Sequence, residues 1–120
     1  MEEKSRSFKD VRVWQEAHAW VLEVYRLTEK FPVSERYGLT SQLRRAATSV
    51  PSNIVEGFRR RTKADKIRFY NIAHASLDEA AYQLLLAHDL GFASTEPLQA
   101  KADEVAKRLS AYIQGLERSA

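Results

Sequence analysis

Apolar residues recur at helical spacing along almost the whole of this chain, and no run alternates as a half-buried strand requires. Such a chain builds its core from helices packed on helices. Val13, Ala17, Trp20, Val24, Leu27 and Phe31 form a first stripe, broadened by Trp14 and Val21, and predict a helix over about 10–30. Phe31-Pro32 ends it, because proline disfavours helical dihedrals in the residue before it. Ser34 is a suitable N-cap for a second helix, with the stripe Leu39, Leu43, Ala46, Val50, Ile54 and Phe58. Pro51 lies inside that stripe, where proline costs about 3 kcal/mol through a lost hydrogen bond and a clash. The stripe keeps its phase across Pro51, which predicts a kink; the alternative is two short helices split at Ser49-Val50.

Gly57 and the arginines after it mark the end of helix 2, and Thr62-Lys63-Ala64-Asp65 has the form of a capping box. Helix 3 then runs over about 63–90, with the stripe Phe69, Ala73, Leu77, Ala80, Leu84 and Ala87, and with Gly91 as its C-cap. Ser94 or Thr95 caps helix 4, whose stripe is Leu98, Ala102, Val105, Leu109, Tyr112 and Leu116. Short loops make neighbouring helices antiparallel. The expected architecture is therefore all-α, an antiparallel up-down-up-down four-helix bundle with a Pro-kinked second helix. It forms a single domain over residues 1–120, with 1–8 as a flexible N-terminal tail.

Helix 3 carries a second apolar group, Ile72, Ala75, Tyr82, Leu86 and Leu90, facing well away from its main stripe. Either the two flanking helices cover both faces, or the second face is a subunit interface. Trp20 divides the same way between core and interface, whereas Trp14 is expected in the core with its indole N–H on a polar partner. Trp20, Ile72, Tyr82, Leu86 and Leu90 are thus the candidate oligomer-interface residues.

Composition removes several kinds of chemistry. With no cysteine there is no disulfide framework, thiolate zinc site or cysteine nucleophile. The three histidines have Gln15, Asn71 and Leu85 three positions before them, so no Glu-x-x-His pair of the kind that builds di-iron sites in bundles is present. The glycines stand alone at 38, 57, 91 and 115, which excludes a glycine-rich phosphate loop. His74 and Asp78, four apart, form the best acid–base pair, read as a surface hydrogen bond in the absence of a nucleophile in register. Glu56 is expected to pair with Arg60 and, with Asn53, to support the kinked helix. No metal, cofactor or catalytic residue is expected, and the chain reads as a non-enzyme. The segment MEEKSRSFKD is charged where a secretory signal would be apolar, and no long apolar run exists, so a cytoplasmic, membrane-free protein is expected.

The net charge of +3 is uninformative as a total. Its distribution is not: residues 59–70 hold Arg59, Arg60, Arg61, Lys63, Lys66 and Arg68 against only Asp65, while the rest of the chain is slightly acidic. The helix 2–helix 3 hairpin gathers these residues at one end of the bundle near Phe58, Phe69 and Tyr70, and Arg44 and Arg45 lie on helix 2 off its apolar stripe. Arginine presents a planar fork to phosphate oxygens and stacks on bases. Three readings stand: a solvated helix end, a contact to RNA or DNA backbone, and an acidic protein partner. Backbone binding would be salt-dependent and indifferent to sequence.

Phe8-Lys9-Asp10-Val11-Arg12-Val13-Trp14-Gln15, then Phe31-Pro32, Tyr37-Gly38-Leu39 and QLRRAATSVPSNIVEG (Gln42–Gly57) resemble the bacterial four-helix-bundle proteins named for 23S rRNA intervening sequences. Phe69-Tyr70 with Ile72-Ala73, Ser76-Leu77 with Glu79, and Leu90-Gly91-Phe92 agree, so the resemblance covers about residues 8–116. It implies a four-helix bundle assembled as a ring-like homopentamer, in a family mostly of unknown function. A related branch, the accessory variability proteins of diversity-generating retroelements, binds nucleic acid and a reverse transcriptase through basic surfaces. The family name records where some of its genes lie and is no sign that the product binds rRNA. The expected function is that of a non-enzymatic homo-oligomeric bundle binding nucleic-acid backbone or a nucleoprotein partner through the basic hairpin; the alternative is an interaction module without nucleic-acid binding.

Overall fold

A computed structural model describes residues 7–119. Within them lie four helices and no strand: α1 (Arg12–Thr28), α2 (Leu39–Arg59), α3 (Lys63–Asp89) and α4 (Glu96–Arg118), with short 3-10 turns at Phe8–Asp10 and Val33–Glu35. Of the expected N-terminal tail, residues 1–6 lie outside the described ones. Ser7 caps the first turn and Phe8 meets the Trp14 ring edge-on at 4.9 Å.

Each helix packs on its neighbours in sequence and α1 packs on α4, while the backbones of the diagonal pairs stay apart among the described residues. The result is an elongated body, 51 × 22 × 21 Å. Its core is built from the predicted stripes: Val13, Ala17, Trp20 and Val24 of α1; Leu43, Ala46, Val50 and Ile54 of α2; Ala73, Leu77, Ala80 and Leu84 of α3; Leu98, Ala102, Val105 and Leu109 of α4. The alanines let helix axes approach closely, and the larger side chains fill the space between layers.

Two junctions follow their sequence signals. Thr62 Oγ1 accepts the Asp65 amide at 3.1 Å and starts α3, which is one half of the expected capping box. At its other end, Gly91 adopts φ +79° while the Gly91 and Phe92 amides bond back to the His88 and Ala87 carbonyls, a Schellman closure that a side chain would strain. Two others differ. Ser34 does not cap α2; it sits in the 3-10 turn, and the helix starts further on at Leu39, whose amide is capped from behind by the Glu35 carboxylate at 3.1 Å. Thr95 stands at the N-cap of α4, yet its buried hydroxyl donates to the Leu84 carbonyl of α3 at 2.6 Å. Its amide donates to His88 Nδ1 at 3.2 Å, so the α3–α4 turn is pinned from both sides.

Pro51 is buried within α2, which runs unbroken from Leu39 to Arg59; the split at Ser49-Val50 does not occur. Asn53 Nδ2 donates to the Ser49 carbonyl and hydroxyl on the polar side of the same segment, and the Ser49 and Ser76 hydroxyls bond across to α3 at 2.8 Å. On α3 the buried aromatic near the hairpin is Tyr70, where Phe69 was expected. The reason is Gly57: its bare backbone faces the Tyr70 ring, which also meets the Tyr112 ring edge-on at 5.2 Å. Burial, reinforced by the Tyr112 hydroxyl, pushes the Tyr70 phenol above its usual range.

Candidate nucleic-acid interface

The turn between α2 and α3 is only three residues long, so the cations on both sides of it are held together at one end of the molecule. They divide into two groups. Lys66 turns inward: its Nζ donates to the Phe58 carbonyl at 2.8 Å and the Gly57 carbonyl at 3.3 Å, satisfying orphan acceptors of the α2 C-terminus. Burial holds its ammonium below the ordinary lysine range. Lys63 Nζ donates to the Ser119 carbonyl. Arg60 pairs with Glu56 at 3.5 Å, as its i,i+4 spacing predicts, and Arg68 lies 4.0 Å from Asp65. The Arg60 and Arg68 guanidiniums each sit 4.5 Å from the centre of the Phe69 ring. Phe69, only partly buried, thus carries two cations against its ring.

Arg59 and Arg61 are exposed, and among the described residues neither has a carboxylate within ion-pair distance. They are the part of the cluster available to an external anion. Arg44 and Arg45, although adjacent in sequence, behave differently. Arg44 Nε donates to Thr28 Oγ1 at 2.8 Å, its terminal nitrogen reaches the Tyr25 carbonyl at 3.2 Å, and its guanidinium covers the Tyr25 ring at 4.5 Å. It clamps α1 to α2. Arg45 is exposed and unpaired in the same sense as Arg59. Both lie on α2 more than three turns from the hairpin, so the cluster read as one from sequence occupies two separate places.

The second apolar face of α3 is placed in part. Ile72, Tyr82 and Leu90 are 40%, 60% and 55% exposed, and Leu85 joins them. Leu86 packs against the core. Trp20 is corrected: it is buried to 1% exposure, with its indole N–H donating to the Leu98 carbonyl of α4 at 3.1 Å, so it takes the core role and not the interface one. Trp14 is only partly buried, its ring stacked 5.0 Å from His18.

One neighbour was invisible in the sequence. His74 lies 3.6 Å from Asp78 and also 3.2 Å from the Ser110 hydroxyl of α4. Only the pairing of α3 with α4 brings Ser110 there. The three side chains sit within α3 and α4, whose backbone amides there are used in helical hydrogen bonds and not left to face a substrate oxygen. Asp78 is mostly in water, and the arrangement is a hydrogen-bonded seam between helices. Among the described residues no group of three His, Asp or Glu is placed to hold a metal ion, and no helix is long and apolar enough to cross a membrane.

No curated protein matches this chain. A crystal structure of a protein of unknown function from the S23 ribosomal protein family of Bacteroides thetaiotaomicron, at 1.70 Å resolution, resembles it with a TM-score of 0.77. The two are 25% identical over 85% of this chain and 98% of that one. The family model for the 23S rRNA-intervening sequence protein matches residues 9–111, which include all the motifs of the first three helices and most of α4. With that span matched, the chain belongs to the 23S rRNA-intervening sequence protein family.

Proposed function

We propose that this protein is a non-enzymatic, homo-oligomeric helical bundle that binds nucleic-acid backbone, or a nucleoprotein partner, through the basic α2–α3 hairpin. The observation that carries the reading is the pair Arg59 and Arg61, exposed and unpaired beside an Arg60–Phe69–Arg68 stack. Forked cations next to an aromatic ring suit phosphate oxygens and base faces together. Assembly as a ring would repeat a modest patch around the particle and raise avidity without new contacts.

The bundle this reading assumes is up-down-up-down. Its support is the pairing of early residues with late ones at three of the four helix contacts: Ser49 with Ser76 and Phe58 with Lys66, His88 with Thr95 and His74 with Ser110, Trp20 with Leu98 and Glu16 with Arg108. A kink in α2 belongs to the same proposal, since Pro51 has no amide hydrogen for the carbonyl four residues back.

Binding of mixed-sequence RNA and DNA oligonucleotides should weaken steeply as salt rises, measured by fluorescence anisotropy across a salt series. Arg59→Ala with Arg61→Ala should flatten the slope of log affinity against log salt by about two, near one for each phosphate no longer neutralised. An unchanged slope, or no binding at about 50 mM salt, refutes the reading.

The exposed Ile72, Tyr82, Leu85 and Leu90 favour a second reading, an interaction module assembled through α3 without nucleic-acid binding. Tyr82→Glu is the variant of choice, because Leu86 supports the core and its replacement would disturb folding. It should shift the sedimentation profile to smaller species with the helix content intact; an unaltered profile removes this face from the assembly.

A further inference from the structure

We propose that the groove between the C-terminal half of α1 and the N-terminal half of α2 binds a nucleotide unit, an aromatic base with its adjacent phosphate. The groove offers about 440 Å³ and is lined by Tyr25, Arg36, Tyr37, Thr40, Arg44 and Arg45 among others, a size that suits a small organic ligand. Its two aromatic rings differ in state. Tyr25 forms part of the wall, covered by the clamped guanidinium of Arg44. Tyr37 is 88% exposed, in the segment just before α2, with Arg36 5.6 Å from its ring centre. A tyrosine so exposed contributes nothing to the core; Arg36 lies over one face of its ring, and the other face is open to a stacking partner.

The charges complete the pattern. Glu35 is turned to the Leu39 amide, and Glu29 lies 3.9 Å from Arg44. Arg36 and Arg45 remain without a carboxylate partner among the described residues, on a groove that also presents the hydroxyls of Thr40 and Ser41. Both arginines line the same groove as Tyr37, so a nucleotide whose phosphate binds there has its base on the side of that ring. Every base has a π-face, so the site tolerates any sequence, but a base inside a duplex has its faces covered. The groove therefore selects an unpaired base, either in a single strand or in a free nucleotide. It shares no residue with the α2–α3 hairpin, and it stands or falls separately from it.

The test uses the full chain with three probes: a labelled single-stranded DNA of about 12 nucleotides, the duplex of the same sequence, and AMP as competitor. The single strand should bind about tenfold tighter than the duplex, which is the size of one stacked base. Tyr37→Ala should lower single-strand affinity about tenfold and leave duplex affinity unchanged, while Tyr37→Phe retains binding because the ring is kept. Its exposure means that the melting temperature should not move, which separates loss of binding from loss of fold. AMP competition that disappears in Tyr37→Ala assigns a free nucleotide; a labelled strand that binds through Tyr37 and is not displaced by AMP assigns a strand. Equal affinity for single strand and duplex, or a Tyr37→Ala variant that binds as the parent does, overturns the proposal. If Arg59→Ala with Arg61→Ala abolishes binding and Tyr37→Ala does nothing, the hairpin stands and the groove falls; the converse pattern supports the groove and removes the hairpin.

Discussion

Trp20→Ala is expected to destabilise the protein by about 3–5 kcal/mol, the range for truncating a fully buried large aromatic. That is a large share of the roughly 5–15 kcal/mol typical of a domain, and it corresponds to a fall in melting temperature of roughly 10–20 °C. Trp20 is the largest side chain buried below 2% exposure, and it lies where α1 meets α4. Neighbouring side chains cannot collapse into a space of that size without moving two helices. Trp20→Phe should cost only about 1–2 kcal/mol, because most of the ring volume stays and the Leu98 carbonyl remains within α4. Thermal denaturation followed by circular dichroism would measure both. A Trp20→Ala midpoint within a few degrees of the parent would contradict the placement of this residue at the centre of the core.

The second large effect is expected at Gly57. A Cβ built there lies 2.5 Å from Cε1 of Tyr70 and 2.9 Å from two more atoms of the same ring, distances that real structures avoid. Tyr70 has little room to retreat, since it is 1% exposed and packed against the Tyr112 ring. Gly57→Ala should therefore destabilise by about 2 kcal/mol in spite of the better helix propensity of alanine, which alone would favour it by about 1 kcal/mol. The clash is specific, so the two positions should be coupled. In a Tyr70→Leu background the same Gly57→Ala change should be near neutral or stabilising, and equal costs in both backgrounds would refute the contact.

Gly57 also illustrates how much was legible beforehand. Together with the arginines after it, Gly57 marked the end of helix 2, yet α2 runs two residues further, to Arg59. The glycine serves a close approach between helices, a demand made by a ring on another element. The same limit explains Tyr70 and Phe69. Both lie at the edge of the apolar stripe, and periodicity alone favoured Phe69; the empty space opposite Gly57 selected Tyr70. Trp20 was ambiguous for a related reason. A stripe says which face is buried but not whether the cover is another helix of the same chain or a second subunit, and the Leu98 carbonyl of α4 resolved it.

The basic residues were all visible as letters, and their grouping was half right. Those flanking the α2–α3 turn had to come together, because a three-residue connection leaves them no other place. Their availability was not legible. Lys66 and Lys63 satisfy carbonyls and Arg44 clamps α1, through partners on other elements that no side-chain pattern announces. Of the groove at Tyr25, Arg36 and Tyr37 only Arg44 and Arg45 were singled out from sequence, although tyrosines and arginines on both sides of Phe31-Pro32 were a usable signal for a helix pair joined by a longer loop.

The amino-acid sequence by itself determined the number and approximate limits of the helices, the stripes that form the core, the caps at Thr62 and Gly91 and the absence of cysteine chemistry. These depend on spacing within one helix and on dihedral preferences of single residues, interactions that reach only three or four positions along the chain. The tertiary structure alone decided which side chains lie opposite one another: Tyr70 against Gly57, Ser110 beside His74, Trp20 on Leu98 and Tyr37 at the mouth of an arginine-lined groove. Such pairings depend on the rotation and offset of one helix against another. Those are set by the fit of whole surfaces, and no local pattern encodes them.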